Sequence, residues 1–255
     1  MEINEKVSAI VTGGASGLGE ATARMLSSMG ANVAIFDLDA DKGLAISKDI
    51  NSAFFKVDVS DINSVNQAVL SFSKQNDGIQ IVVNCAGIGP AAKTVSRGEA
   101  HSSELFAKVI NINLIGSFNV ASICAAEMIK NRGSSEDGVR GVIVNTASVA
   151  AYDGQIGQVA YSASKGGIVG MTLPMARDLS DKGIRVCSIA PGLFLTPLLE
   201  SLPEEVQESL GKQVPFPSRL GKPTEFANLV GHIIENDMLN GEVIRLDGAI
   251  RMAPR

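Results

Sequence analysis

The chain is poor in the residues that build metal sites and disulfide scaffolds. Its three cysteines, Cys85, Cys124 and Cys187, are scattered and form no C-x-x-C pair. That excludes a disulfide framework and a thiolate zinc site of usual spacing, and it suits a reducing compartment. The two histidines, His101 and His232, lie far apart with no second ligand beside either, so no metal site is expected. No basic run occurs and the net charge is −5, which argues against a nucleic-acid surface. Long apolar runs are also missing. The longest uncharged stretch, Val109 to Ala126, is interrupted by Asn111, Asn113, Ser117, Asn119 and Ser122 and reads as a buried helix, not a membrane span. The opening residues, Met1 to Lys6, carry acids and run straight into an apolar segment, leaving no room for a cleaved secretory signal. The expected location is the cytoplasm, or the mitochondrial matrix in a eukaryotic cell.

What is present is a regular alternation. Short apolar, β-branched runs at Val7–Val11, Asn32–Phe36, Ala53–Val57, Ile79–Val83, Val142–Asn145, Ile184–Ile189 and Glu242–Leu246 predict strands. Helical patterns lie between them at Gly17–Met29, Asp41–Asp49, Ile62–Gln75, Ser103–Lys130, Gln158–Leu179 and Thr224–Glu235. Strands that are apolar throughout and alternate with helices imply an α/β fold, a doubly wound parallel sheet of about seven strands covered on both faces. No linker or repeat breaks the rhythm, so residues 1–255 are expected to form one domain. Two segments depart from the pattern, Gly87–Ser102 and Pro191–Lys222, both on the strand-end side where such folds bind ligands.

The chain has only two tyrosines. Tyr152 has Ile156 four residues on, whereas Tyr161 has Lys165. On a helix, that phenol and ammonium project from one face about one turn apart. A nearby positive charge stabilises a phenolate and moves a pKa of ~10 toward use as an acid/base. Upstream, Thr12-Gly13-Gly14-Ala15-Ser16-Gly17-Leu18-Gly19 follows the first strand and opens the first helix. Its glycines allow a tight turn and let backbone N–H groups approach a pyrophosphate. Asp37 ends the second strand, where a carboxylate accepts from adenosine ribose hydroxyls and repels a 2′-phosphate. Ser16 and Leu38, where a phosphate-binding cation could sit, are uncharged. The expected cofactor is NAD. Asp58 and Val59 end the third strand, with Asp58 a candidate for the adenine amino group or for a helix N-cap. Asn84-Cys85-Ala86-Gly87 ends the fourth, and its small residues suit a cofactor lying across the sheet edge.

In their order, T-G-x-x-x-G-x-G, D-V, N-x-A-G, an Asn on the following helix, a strand-end Ser and Y-x-x-x-K resemble the short-chain dehydrogenase/reductase family over essentially the whole chain. Within it, the segments N-T-A-S-V-A-A-Y, I-A-P-G-L-F and N-G-E-V-I-R-L-D-G resemble the branch that oxidises the 3-hydroxyl of short and medium (S)-3-hydroxyacyl-CoA thioesters in fatty-acid breakdown. The resemblance implies a Rossmann-type fold, an NAD-dependent dehydrogenase and a homotetramer without nucleic-acid or membrane partners. It implies Tyr161 as acid/base, Lys165 as the group that lowers the phenol's pKa and holds the nicotinamide ribose, and Ser148 as the donor to the substrate oxygen. Asn113 would anchor a relay water, while Pro191, Phe194 and Thr196 would pass the nicotinamide. Gln155, just before Tyr161, is a candidate substrate contact. Leu198, Leu199, Leu202, Val206 and Leu210 form an apolar stripe at helical spacing, read as part of a substrate lid around residues 193–220. A hydroxysteroid or other secondary-alcohol dehydrogenase is the alternative enzyme. A noncatalytic NAD-binding sensor or scaffold would have lost a catalytic group, and none is lost. Segments Gly87–Ser102 and Gly133–Arg140 read as insertions without a derivable conformation.

Overall fold

Nine strands and nine α-helices follow in chain order in the computed structural model, which describes residues 1–133, 137–200 and 202–254. The first half holds β1 (Ser8–Thr12), α1 (Gly17–Ser28), β2 (Asn32–Asp37), α2 (Ala40–Asp49), β3 (Ala53–Lys56), α3 (Ile62–Gln75) and β4 (Ile81–Asn84). A hairpin of β5 (Val95–Ser96) and β6 (Glu99–Ala100) leads to α4 (Ser103–Ile110), a π-helical turn (Asn111–Ile115) and α5 (Gly116–Met128). Then come β7 (Gly141–Thr146), α6 (Val159–Asp178), β8 (Ile184–Pro191), α7 (Pro197–Glu200), α8 (Glu204–Gly211), α9 (Pro223–Glu235) and β9 (Val243–Leu246).

Seven strands form one sheet in the order β3-β2-β1-β4-β7-β8-β9, every pair parallel. The order reverses between β1 and β4, and that reversal opens the crevice at the strands' carboxyl ends. Successive residues of β1 serve opposite faces: Ala9 and Val11 join Ala23 and Leu26 of α1 and Phe226, Val230 and Ile233 of α9. Ile10 joins Val65, Val69 and Phe72 of α3 and Val120, Cys124 and Met128 of α5. A strand between two helical layers is buried on both faces, which is why β1 carries Ala9, Ile10 and Val11 in succession and buries its polar ends, Ser8 and Thr12, as well. Each fully buried Ile or Val contributes roughly 1.5–3 kcal/mol. Asp39, Asp61 and Ser102 cap α2, α3 and α4 by accepting from Lys42, Asn63 and Leu105 N–H groups.

The structure departs from the sequence reading in three places. The helix expected over Ser103–Lys130 is broken by the π-turn, whose Asn113 turns its side chain inward. Ser103–Met128 is nonetheless long and apolar enough to cross a membrane by composition, and half of its most apolar stretch is buried. The lid stripe is not one helix: Pro203 stands at the N-cap of α8, splitting it from α7, and Val206 is 41 % exposed. The lid's Ser201 and the side chain of Leu198 lie outside the described residues, as do residues 134–136 of the Gly133–Arg140 segment. Gly87–Ser102, for which no conformation was expected, makes the β5–β6 hairpin and a bridge from Ala92 to Gln158.

Candidate active site

The carboxyl ends of β1, β2, β4, β7 and β8 bring nearly all the predicted residues to one edge. At β1 the glycine turn is built so that no side chain fits. Gly13 and Gly17 have φ of +62° and +53°, and a Cβ on Gly13 would lie 2.8 Å from the Ala86 N. A Cβ on Gly19, at the start of α1, would lie 2.1 Å from the Gly13 carbonyl oxygen. The turn therefore presents bare backbone at the N-terminus of α1, the cradle a pyrophosphate needs. The Ser16 side chain makes no cap bond, although it stands at the N-cap, and Leu18 packs against the core. Asp37 is fixed at the end of β2: Oδ2 accepts from the Ala15 N at 3.0 Å and Oδ1 from the Asp39 N at 3.0 Å. Leu38 beside it is 56 % exposed. These residues fit an adenosine ribose held by a carboxylate.

Asp58 takes a turn role in part, since Oδ1 accepts from both the N and Oγ of Ser60. The helix N-cap is Asp61 instead. Val59 is buried, its carbonyl accepting from Asn119 at 3.1 Å. Along β4, the Thr12 hydroxyl accepts from the Cys85 and Ala86 amides at 3.1 Å each, fastening the start of the Asn84–Gly87 turn to β1. Burial pushes the Cys85 thiol up to about 11, so it packs as a small neutral group. Gly87 runs close to the catalytic candidates: a Cβ there would lie 3.2 Å from Asn113 Oδ1 and 3.7 Å from Lys165 Nζ.

Asn113 is fully buried. Its Oδ1 accepts from the Ile88 N at 2.8 Å, and Nδ2 donates to the Ile88 carbonyl at 2.9 Å and to Ser164 Oγ at 3.0 Å. It thus ties the segment after β4 to α6, and this is the use of the π-turn. Lys165, 4 % exposed, donates to the Thr146 carbonyl at 2.6 Å. Its Nζ stands 5.7 Å from the Tyr161 ring centroid. Ser148, just past β7, accepts from the Ala150 N and faces the phenol.

The electrostatics correct one expectation. Lys165 was expected to lower the Tyr161 pKa, but in the chain by itself burial raises it, opposed by the Ser148 hydroxyl. The ammonium is drawn to Thr146, and burial lowers its own pKa to about 8. Desolvation favours the neutral form of each group, so the ammonium becomes the more acidic of the two while the phenol becomes less acidic.

Pro191 ends β8, and Gly192 packs on Asp247, where a Cβ would lie 2.9 Å from that residue's Cα. Phe194 is buried and bridges Gly221, while Thr196 and Pro197 lean on Gly17. The turn therefore closes over the glycine cradle. Gln155 is the exception among the predicted contacts: its amide donates to the Ala253 carbonyl at 2.9 Å and faces segment 250–254. Thr12, Thr146 and Ser164 all lie inside the quoted motifs without a role readable there; their roles depend on which groups the fold sets opposite them.

A family model described as short chain dehydrogenase matches residues 7–207. The 3-hydroxyacyl-CoA dehydrogenase type-2 of Bos taurus is 56 % identical over 251 residues, covering 96 % of this chain and 95 % of that one. The protein of the same name from Drosophila melanogaster is 54 % identical over 249 residues, 96 % and 97 % of the two chains. The crystal structure of 3-hydroxyacyl-CoA dehydrogenase type-2 from Mycobacterium avium superposes with a TM-score of 0.94 at 43 % identity, covering 98 % of each chain.

Proposed function

The chain belongs to the short-chain dehydrogenase family, and from that premise we propose that it oxidises the 3-hydroxyl of short and medium (S)-3-hydroxyacyl-CoA to the 3-oxoacyl-CoA with NAD. The observation that supports the reaction most is the meeting of Ser148, Tyr161 and Lys165 at the sheet edge beside the Gly13–Gly19 turn. The substrate is supported by the relatives' activity.

NAD, when bound, supplies the acceptor for the hydride leaving the substrate's C3. Gly13, Ser16, Gly17, Leu18 and Gly19 would hold its pyrophosphate, Asp37 its adenosine ribose, and Asp58 and Val59 its adenine. Asn84, Cys85, Ala86 and Gly87 would lie beneath it, Pro191, Phe194 and Thr196 against its nicotinamide end, and Tyr161 and Lys165 at the nicotinamide ribose. Ser148 holds the substrate oxygen while the Tyr161 phenolate takes the hydroxyl proton; base and oxygen-holding donor then converge on one atom. Lys165, kept in place by Thr146, supports the negative phenolate. Asn113 holds the neighbouring loop and α6 in register, and would anchor the water that passes the proton to solvent.

Residues 1–255 act as one domain, with 193–220 as the lid over the apolar acyl chain. A reducing compartment, cytoplasm or mitochondrial matrix, suits the free Cys85, Cys124 and Cys187. The chain assembles as a homotetramer. Gly166 and Gly170 lie one turn apart on α6 with open space where a Cβ would project, whereas Gly167 faces Leu114. Leu173 of α6 and Phe118 of α5 are 44 % and 51 % exposed, an apolar pairing surface for a symmetric partner. Light scattering at micromolar concentration is expected to give a multiple of 26.6 kDa; the monomer mass would reject the assembly.

The activity is tested by following NADH formation across 3-hydroxyacyl-CoAs, hydroxysteroids and simple secondary alcohols. The thioesters are expected to give the highest kcat/KM. If they yield no more NADH than the steroids at matched concentration, the acyl-CoA assignment fails.

A further inference from the structure

Between Ser148 and the helix of Tyr161 runs a loop, residues 152–158, with little packing of its own: Tyr152 and Ile156 are 49 % and 48 % exposed. Besides the Gln155–Ala253 bond, three contacts with distant parts of the chain fix it. Gly157 accepts through its carbonyl from the Ala92 N at 2.8 Å, on the segment whose Gly89 packs against the Tyr161 ring. Ile156 donates its N–H to the Pro254 carbonyl at 3.1 Å. Asp153 Oδ2 accepts from Arg245 Nη2 at 2.6 Å.

Arg245 stands on β9, at the far edge of the sheet. Its guanidinium also donates through Nε to Asp247 Oδ2 at 2.7 Å and through Nη2 to the Ile250 carbonyl at 3.0 Å, and it lies 5.3 Å from the Tyr152 ring centroid. Asp247 is the residue on which Gly192 packs at the Pro191–Thr196 turn. One side chain, 21 % exposed, therefore joins the loop after Ser148, the base of the nicotinamide-side turn and segment 250–254. A planar fork shared by two carboxylates fixes angles as well as distance, which an ammonium cannot do.

We propose that Arg245 is a positioning residue for substrate binding: through Asp153 and Asp247 it sets the spacing of the two walls between which the acyl thioester enters. This inference rests on the dehydrogenase reading above. Tyr161 is held independently, because α6 is pinned by Lys165 on Thr146 and by Ser164 on Asn113. Loosening the loop consequently acts on KM and leaves the chemical step largely alone.

The test uses the full chain with NAD and 3-hydroxybutyryl-CoA, comparing Arg245→Gln, Arg245→Lys and Asp153→Asn. Arg245→Gln is expected to raise KM by about tenfold or more with kcat within about threefold and NADH affinity unchanged. Arg245→Lys should fall between it and the unmodified chain. Adding Asp153→Asn to Arg245→Gln should cost less than its effect alone, since both act through one bond. An unchanged KM in a folded Arg245→Gln protein overturns the proposal. So does an equal loss of NADH affinity, which would mark general loosening. Should Arg245→Gln not fold, Asp153→Asn carries the same KM comparison. If the unmodified chain yields no NADH from the thioester, the activity reading is what fails. Hydrogen exchange then decides the positioning: Arg245→Gln must speed exchange in residues 152–158 and leave β4 unchanged, and uniform rates overturn it.

Discussion

Lys165→Met is expected to make the chain more stable while abolishing turnover. Lys165 is buried, and burial lowers its pKa from an ordinary 10.5 to about 8. At ~1.4 kcal/mol per tenfold change in acidity, keeping the ammonium in the fold at neutral pH costs about 3 kcal/mol. Methionine fills similar volume without charge, but it leaves the Thr146 carbonyl without its donor, a loss of about 1–2 kcal/mol. The net gain is about 1–2 kcal/mol near pH 7, and each kcal/mol raises Tm by about 2–4 °C in a chain of this size. The sign of the pH dependence follows from the lowered value. Below pH 8 the lysine is charged both folded and unfolded, so the penalty is fully present. Between pH 8 and 10.5 the folded chain releases the proton while the unfolded chain keeps it, and the penalty is relieved as pH rises. The advantage of the Met variant should thus be largest below pH 8 and shrink toward pH 10. Urea unfolding followed by circular dichroism, without cofactor and at one protein concentration, measures it. A variant less stable at every pH, or an advantage equal at pH 7 and pH 10, would refute the argument.

Tyr161→Phe removes only a hydroxyl, so NADH binding by fluorescence should persist while kcat falls by about a thousandfold or more; near-normal kcat contradicts the acid/base role. Asp37→Ala removes the carboxylate that repels a 2′-phosphate, and the NAD-over-NADP ratio of kcat/KM should narrow by about tenfold or more. Equal use of both cofactors by the unmodified chain would already discard that reading. Gly19→Ala places a Cβ 2.1 Å from the Gly13 carbonyl oxygen, so the turn must shift and NADH affinity should fall at least tenfold. Retained affinity would mean that the cradle is not the binding surface.

The sheet was legible because its signal is redundant. Each central strand is a mostly apolar run and a helical pattern separates it from the next, so boundaries fall within about two residues, and α3 runs over Ile62–Gln75 as predicted. The break at Asn111–Ile115 was not legible. Gly116 follows it but a single glycine does not break a helical pattern, and the bonds that hold the turn are long-range, from Asn113 to Ile88 and Ser164. Pro203 does mark the break within the lid stripe, but the spacing over Leu198–Leu210 alone does not reveal it. Gln155 was read by its neighbourhood in sequence, and only the fold shows that segment 250–254 takes its amide. Arg245 lies inside the N-G-E-V-I-R-L-D-G segment, but its role is not readable there, because its partner Asp153 is ninety-two positions away.

The precision of the edge comes from a row of polar side chains that the register creates. Thr12, Asn84, Asn145 and Ser188 are aligned across β1, β4, β7 and β8, and all four are buried. Asn84 donates to the Asn145 side chain at 2.9 Å and to the Ser117 carbonyl at 3.2 Å, and Ser188 meets Thr172 of α6 at 2.6 Å. A sheet slipped by one residue would turn these groups into the opposite apolar layer, where each unpaired group costs roughly 1–3 kcal/mol. Such a penalty selects one register over its neighbours, and the same register sets the strand ends level. Thr146, Ser148 and Pro191 are then presented at fixed heights beside the glycine turn. The polar row, placed just inside the edge, thus converts the periodicity of the strands into the fixed spacing that a proton acceptor and an oxygen donor require.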